Sequence, residues 1–209
     1  MDVIVNNIEA MDYGFSQYTQ AGQIIVVENK LRGDFQSRVS CYEKAPEGWK
    51  QVYSFDAVIG KAGIIDKEKK REGDNKTPAG VYTLGFVFGY DKKPDTKMEY
   101  VELTDYDKWI DDPEHPMYNR FVRGDTDARS FEKMRRDDNL YKLGLVINYN
   151  TNPVVKYRGS AIFLHIWKDY DTPTAGCIAI SEEAIKSIIT WLDPNKNPII
   201  IINQAHTPL

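Results

Sequence analysis

Residues 160–181 read SAIFLHIWKDYDTPTAGCIAIS, a stretch holding one of the three histidines and one of the two cysteines of the chain, twelve positions apart. Its opening run, 161-AIFLHIW-167, is short and rich in β-branched and aromatic residues, which reads as a strand. Side-chain alternation puts Ile162, Leu164 and Ile166 on one face and Phe163, His165 and Trp167 on the other, so His165 faces away from the most aliphatic side. A loop rich in Asp, Thr and Pro follows, and Gly176 stands directly before Cys177. Just beyond, 182-EEAIKSIITWL-192 reads as a helix. Ser181 is placed to cap it, Glu182 and Glu183 sit where the helix dipole favours negative charge, and Pro194 closes it off. Ile185, Ile188, Ile189 and Leu192 recur at i, i+3, i+4 and i+7, which makes one core-facing stripe.

Strand-like runs continue outward in both directions: 24-IIVVE-28, 37-SRVSCYE-43, 50-KQVYSFDAVIG-60, 79-AGVYTLGFVFG-89, 99-EYVEL-103, 144-GLVINYN-150 and 198-PIIIIN-203. Each is bounded by Gly, Asn, Asp or Pro, and little helix lies between them. This predicts a mainly β fold, a sandwich or barrel-like arrangement with one or two peripheral helices, rather than βαβ units. A second helix is expected within 127-DARSFEKMRRDDNLYKLG-144, ended by Gly144. The expected organisation is an N-terminal extension over 1–21 and a single domain over 22–209, with a polar and aromatic insertion or long loop at about 91–121.

The 209 residues, 42% hydrophobic and 28% charged, are enough for a sizeable core and too apolar for disorder. A net charge of −4 with both signs interspersed argues against a nucleic-acid partner, which favours a basic face. The basic run 67-KEKKR-71 is interrupted by Glu68 and flanked by Glu72, and reads as a solvated loop. No apolar stretch approaches the roughly 20 residues of a membrane span. The opening MDVIVNNIEAMDYG lacks a basic start and an apolar h-region, so no signal peptide is expected; that fits a cytoplasmic protein or a form whose leader was removed. Two cysteines make no disulfide framework, and no close Cys/His set suggests structural zinc; no metal or organic cofactor is expected.

Cys177 reads either as a small buried hydrophobe or as a nucleophile. Its loop setting favours the second: Gly176 lets backbone approach a substrate and turns amide N–H groups toward a developing oxyanion, and a turn before a helix lowers a thiol pKa. Cys41 is the contrast. It alternates with Val39 and Glu43 in a strand without Gly or His nearby and reads as structural. His165 is the best-placed base for Cys177; His115 lies in the Pro-bounded loop 113-PEHP-116 and His206 in the tail.

A strand with His, a Pro-containing loop, Thr-x-Gly-Cys-Ile and a capped helix resemble, in that order, the catalytic motif of the L,D-transpeptidase catalytic domain, the YkuD-like family. Residues 59-IGKAGIIDKEKKREGDNKTPAGVYTLGFVFGY-90 are similar to the family's upstream signature, in which Thr-Pro-x-Gly leads into a strand. With 198-PIIIIN-203 as closing strand, the resemblance spans roughly residues 22 to 204. It implies a mainly β sandwich or barrel carrying the Cys over the sheet. It also implies acylation of Cys177 by a peptidoglycan stem peptide and transfer to an amine, or to water in an L,D-carboxypeptidase or endopeptidase. A non-catalytic peptidoglycan-binding domain is a further alternative. The resemblance implies a cell-envelope, extracytoplasmic location, and leaves the oligomeric state open. Carried over, Cys177 is the nucleophile and His165 its base, Thr174 holds the imidazole tautomer through its hydroxyl or carbonyl, and Gly176 with the Cys177 amide forms an oxyanion hole. Two positions depart from the common pattern: Ala175 stands where His is usual, and Ala179 where Arg is frequent.

The segment 106-YDKWIDDPEHPMYNRF-121 reads either as a surface loop, with Trp109 and Tyr118 tucked onto the sheet, or as a wall of the substrate groove, with Asp111, Asp112 or Asn119 meeting the polar ends of a stem peptide. Tyr118 belongs to the same candidate wall. Lys76-Thr77-Pro78 reads as a turn before a strand, and Trp167 either lines the cleft or joins the core.

Overall fold

The β-branched and aromatic runs become strands, and the order in which they pair closes them into a barrel. The computed structural model describes residues 14–204; residues 1–13 of the expected extension and the tail with His206 lie outside the described residues. The strands are β1 (Gln23–Asn29), β2 (Gln36–Ala45), β3 (Gly48–Val58), β4 (Ile64–Asp66), β5 (Thr77–Gly89), β6 (Tyr100–Glu102), β7 (Asp107–Ile110), β8 (Phe121–Arg123), β9 (Phe131–Lys133), β10 (Leu143–Ile147), β11 (Phe163–Ile166), β12 (Ile178–Ile180) and β13 (Ile199–Asn203). β10, β11, β12, β3, β2, β1, β13 and β5 are hydrogen-bonded in that order, and β5 pairs back onto β10. Closure satisfies backbone groups that an open sheet leaves unpaired at its edges. β1 runs parallel to β13 and β11 parallel to β12, and the other pairs around the barrel are antiparallel.

Alternation along the wall separates two cores. Val87, Leu145, Ile147, Leu164, Ile178 and Ile180 point into the main core. Their immediate neighbours Phe88, Val146, Phe163 and Cys177 point the other way, into a second, aromatic core. The single α-helix among the described residues, α1 (Glu182–Trp191), follows the expected span, with Ser181 Oγ accepting from the Ala184 amide at 3.2 Å. Its stripe of Ala184, Ile185, Ile188, Ile189 and Leu192 is buried in the main core, each of the larger residues contributing about 1.5–3 kcal/mol of burial.

The second core is covered by the segment expected as an insertion. β6 pairs with β5, and β8, β7 and β9 form a separate three-stranded antiparallel sheet. The Trp109 ring of β7 meets Phe163 edge-on at 5.0 Å, and Phe121 of β8 meets Phe86 at 5.6 Å. Asp107, wholly buried, takes two hydrogen bonds from Arg123 at 2.6 and 2.8 Å and one from the Thr104 amide at 2.7 Å, which fixes the start of β7.

The helix expected over 127–144 is absent. That segment forms β9, a turn, and the beginning of β10. Met134 and Tyr141 of this segment are drawn into the aromatic core, where tertiary burial outweighs weak helix propensity. Gly144 is a strand residue rather than a helix stop. A Cβ there would lie 2.2 Å from the Phe88 ring, so only glycine lets that ring pack across β10.

Candidate active site

The parallel register of β11 and β12 places Leu164 beside Ile178 and His165 beside Ala179. One step back along both chains sets Cys177 next to Phe163. Phe163, His165, Cys177 and Ala179 therefore share the outward face of the wall, with Cys177 and His165 diagonal neighbours across it. Both line one cavity of about 400 Å³, together with Tyr141, Trp167 and the loop from Thr172 to Gly176. Lys70, Glu72, Asp111, Glu132 and Arg136 bring both signs of charge to the same cavity.

Cys177 is nearly buried, and among the described residues its sulfur makes two hydrogen bonds. It accepts from the Phe163 amide at 3.4 Å and donates to the Ala161 carbonyl at 3.2 Å; none reaches His165. Burial pushes the thiol up to about 12, with the Phe163 N–H pulling the other way. This reverses the expected lowering. The turn leads into β12 rather than directly into a helix, and among the described residues no cation is hydrogen-bonded to the sulfur, so the charges of Lys70 and Arg136 offset burial only weakly.

His165 is buried, and its ring packs edge-on against Tyr141 at 5.1 Å. The Arg136 guanidinium covers the Tyr141 ring at 5.0 Å. Burial holds the imidazole down to about 4, the Ile166 carbonyl opposing. His165 Nδ1 lies 2.8 Å from Ile166 O. A carbonyl only accepts, so this contact assigns the proton to Nδ1 and leaves Nε2 as the basic nitrogen. The resting pair is a neutral thiol and a neutral imidazole.

The loop before Cys177 is pinned from both sides. The Thr174 hydroxyl donates to Cys177 O at 2.7 Å and accepts from the Gly176 amide at 3.1 Å. The Gly176 amide is thus occupied rather than offered to an oxyanion, and the imidazole tautomer is held by Ile166 O rather than by Thr174. Gly176 matters through its shape. It adopts φ +150°, and a Cβ there would sit 2.9 Å from Lys76 O. That close approach lets Thr77 donate to Gly176 O at 2.8 Å while accepting from the Gly60 amide at 2.9 Å. The two separated sequence blocks meet at this hydroxyl, the Thr of the Thr-Pro-x-Gly run.

Trp167 lines the cavity and its ring packs against Tyr170 at 6.0 Å. Asp112, Tyr118 and Asn119 do not line it. Asp112 is bound by Arg129 Nη2 at 2.8 Å and Nε at 3.0 Å. The Tyr118 hydroxyl donates to Glu72 and accepts from the Gly159 amide at 3.0 Å. Asn119 is buried and accepts from Trp109 Nε1 at 2.8 Å and from the Ala161 amide at 3.1 Å. Tyr118 and Asn119 brace the cavity from behind through Glu72 and Ala161, whereas Asp112 is turned to Arg129.

Of the charged lining, Asp111 belongs to the expected groove wall; Lys70, Glu72, Glu132 and Arg136 had no local signal in sequence. Lys70, 3% exposed, donates to Asp74 at 2.7 Å and to Arg71 O at 2.8 Å. Glu72 also accepts from Ser160 Oγ at 2.7 Å, Asp111 Oδ1 is buried without a hydrogen-bond partner among the described residues, and burial raises the Glu132 carboxyl. Among the described residues no group of three or more His, Cys, Asp and Glu is arranged to hold a metal ion, and no helix is long and apolar enough to cross a membrane.

A closed β-barrel with a cysteine and a histidine buried side by side on its outer wall, under a small accessory sheet, defines a thiol-bearing barrel class. The sequence matches the family described as YkuD, L,D-transpeptidase catalytic domain, over residues 37–201, and the chain belongs to that family. No curated protein sequence matches it. Among solved structures it is similar to Bd1075 of Bdellovibrio bacteriovorus, with 18% identity and a TM-score of 0.47, over 88% of this chain and 48% of that one. The chain thus spans about half the length of that protein.

Proposed function

We propose that the protein is a cysteine-dependent L,D-transpeptidase acting on peptidoglycan stem peptides in the cell envelope. The observation that carries this reading is the placement of Cys177 and His165 as diagonal neighbours opening into one cavity. With a stem peptide bound, the thiol turns from the Ala161 carbonyl and gives its proton to His165 Nε2 as the sulfur attacks the peptide carbonyl. The C–N bond breaks, the imidazolium returns the proton to the leaving amine, and a Cys177 thioester remains. An incoming amine then gives its proton to His165 and attacks the thioester. The new amide forms, and the sulfur leaves with the proton. Thiolate is needed only during attack, which accords with a resting thiol held near 12 and an imidazole that stays unprotonated at neutral pH. The mixed charge of the lining suits a stem peptide bearing both carboxylate and ammonium groups.

Incubation with a disaccharide-tetrapeptide, followed by mass spectrometry of products and of the tryptic peptide containing Cys177, tests the reading. Cross-linked dimers and an acyl adduct on Cys177, both lost in Cys177→Ala, are expected. Tripeptide in place of dimer would make the protein an L,D-carboxypeptidase, and the absence of both product and adduct would leave a peptidoglycan-binding domain.

A further inference from the structure

Behind Cys177 lies a polar device that neither the motif nor the proposed chemistry uses. Ala161 sits at φ +52°, in the left-handed region that costs a residue with a Cβ roughly 1 kcal/mol. The conformation persists because both ends of this residue are held. Its amide donates to Asn119 Oδ1 at 3.1 Å, and its carbonyl accepts the Cys177 thiol at 3.2 Å. Asn119 is 1% exposed and itself left-handed at φ +56°. All its side-chain bonds are internal: Trp109 Nε1 donates to Oδ1 at 2.8 Å, and Nδ2 donates to Tyr149 O at 3.0 Å and Asn150 O at 2.7 Å. One residue earlier, Ser160 Oγ is tied to Glu72 at 2.7 Å, and the Gly159 amide to Tyr118 at 3.0 Å. The segment that presents the Ala161 carbonyl is thus fixed at three successive residues.

We infer that Asn119 is a positioning residue for the nucleophile, locking Ala161 in its left-handed conformation so that the Ala161 carbonyl holds the Cys177 thiol proton until substrate displaces it. This deepens the proposed function and rests on Cys177 being the reacting group. The two backbone partners of the sulfur act in opposite senses. An N–H favours thiolate and a carbonyl favours thiol, so the anchored carbonyl restrains the nucleophile at rest. Gly159–Ala161 lines the cavity at Ser160 and Ala161, which places this restraint where a bound peptide meets it.

The direct reporter is the infrared S–H stretch of Cys177, taken as the difference between the wild-type protein and Cys177→Ala. The thiol of Cys41 has no hydrogen bond among the described residues and supplies the reference position. In the wild type the Cys177 band is expected below the Cys41 band. In Asn119→Gly, which keeps the left-handed backbone accessible while removing the amide, the band is expected to move up toward that of Cys41. Iodoacetamide labelling of Cys177 at pH 8.5 is expected to rise about tenfold, the effect of lowering the thiol by one pH unit. A folded Asn119→Gly protein with band and labelling rate unchanged overturns the inference. Ala161→Gly is the second variant: it removes the Cβ cost of the left-handed region while the backbone amide stays bound to Asn119. The band is expected to keep its wild-type position there, and a band raised toward that of Cys41 would show that the Ala161 side chain rather than Asn119 sets the carbonyl, which overturns the inference, including when Asn119→Gly does not fold. If the wild type forms no thioester with the disaccharide-tetrapeptide, it is the nucleophile reading that fails, while the band positions still decide whether Asn119 holds the thiol.

Discussion

Cys41 and Cys177 lie on the two sides of one barrel wall, and their surroundings differ in kind. Cys41 points into the main core among Val39, Ile25 and Ala57, fully buried, with its sulfur making no hydrogen bond among the described residues. Burial alone drives its thiol well above the usual range. Cys177 is also buried and also raised, yet its sulfur has an N–H and a carbonyl directed at it, a histidine diagonal to it and a cavity in front. Burial does not distinguish a structural thiol from a candidate nucleophile here. The directional polar contacts do, and they exist because the outward face of β11 and β12 is covered by a second sheet rather than by the barrel's own interior.

The largest expected effect sharpens that contrast through pH. The folded pKa of His165, about 4, lies below its ordinary value of 6.5, so the unfolded chain binds the extra proton first as pH falls. Its contribution to stability is therefore complete above pH 6.5 and is lost between pH 6.5 and 4. The shift corresponds to about 3 kcal/mol. Urea unfolding of the wild type and of His165→Gln across this range should show the variant losing less stability on acidification. Equal pH slopes would mean that the outer wall is not the acid-sensitive side.

Thr77→Val comes next. It removes the hydroxyl that serves both Gly60 and Gly176, leaving a buried N–H and a buried carbonyl unpaired, at a cost of about 2–3 kcal/mol. Acyl-enzyme formation on the Cys177 side should slow as well, because the loop before the sulfur loses its clamp. A variant destabilised to this extent but acylated at the wild-type rate would break the link between the two sequence blocks. Cys41→Ala should have the smallest effect, about 1 kcal/mol from a small cavity in the main core, with acylation unchanged. Slower acylation in that variant would show that the two faces of the wall are coupled.

Much of the barrel was legible because its strands advertise themselves: runs such as 24-IIVVE-28 and 198-PIIIIN-203 lie wholly within β1 or nearly coincide with β13. The short strands β7, β8, β9 and β12 were not. Three or four residues carry too little period to read, and they are strands only because neighbours distant in sequence complete them. The 127–144 segment shows the same limit in reverse: a stretch that reads as helix up to Gly144 folds as β9, a turn and the start of β10, with Met134 and Tyr141 buried in the aromatic core. At the site, alternation along 161-AIFLHIW-167 put His165 on the face it shares with Cys177. Glu72, Asp111, Glu132 and Arg136 converge from four separate stretches, and no spacing rule links them. Asn119 was noticed for a polar side chain in an aromatic loop, but its direction, inward to Ala161 rather than outward to a ligand, depends on a fold that brings those stretches together.

The pairing of β1 with β13 sets a schedule for folding. Ile24 aligns with Ile199, so this seam of the barrel joins the first described strand to the last. Loop-closure entropy makes such a distant contact slow to form, and a chain leaving the ribosome holds the edges of β1 and β5 unsealed until residues 199–203 have emerged. The stretch from β10 to β12, by contrast, lies within a short span of sequence. The wall that carries His165 and Cys177 can therefore be assembled before the barrel shuts, with those open edges the chain's main exposure to self-association in the interval.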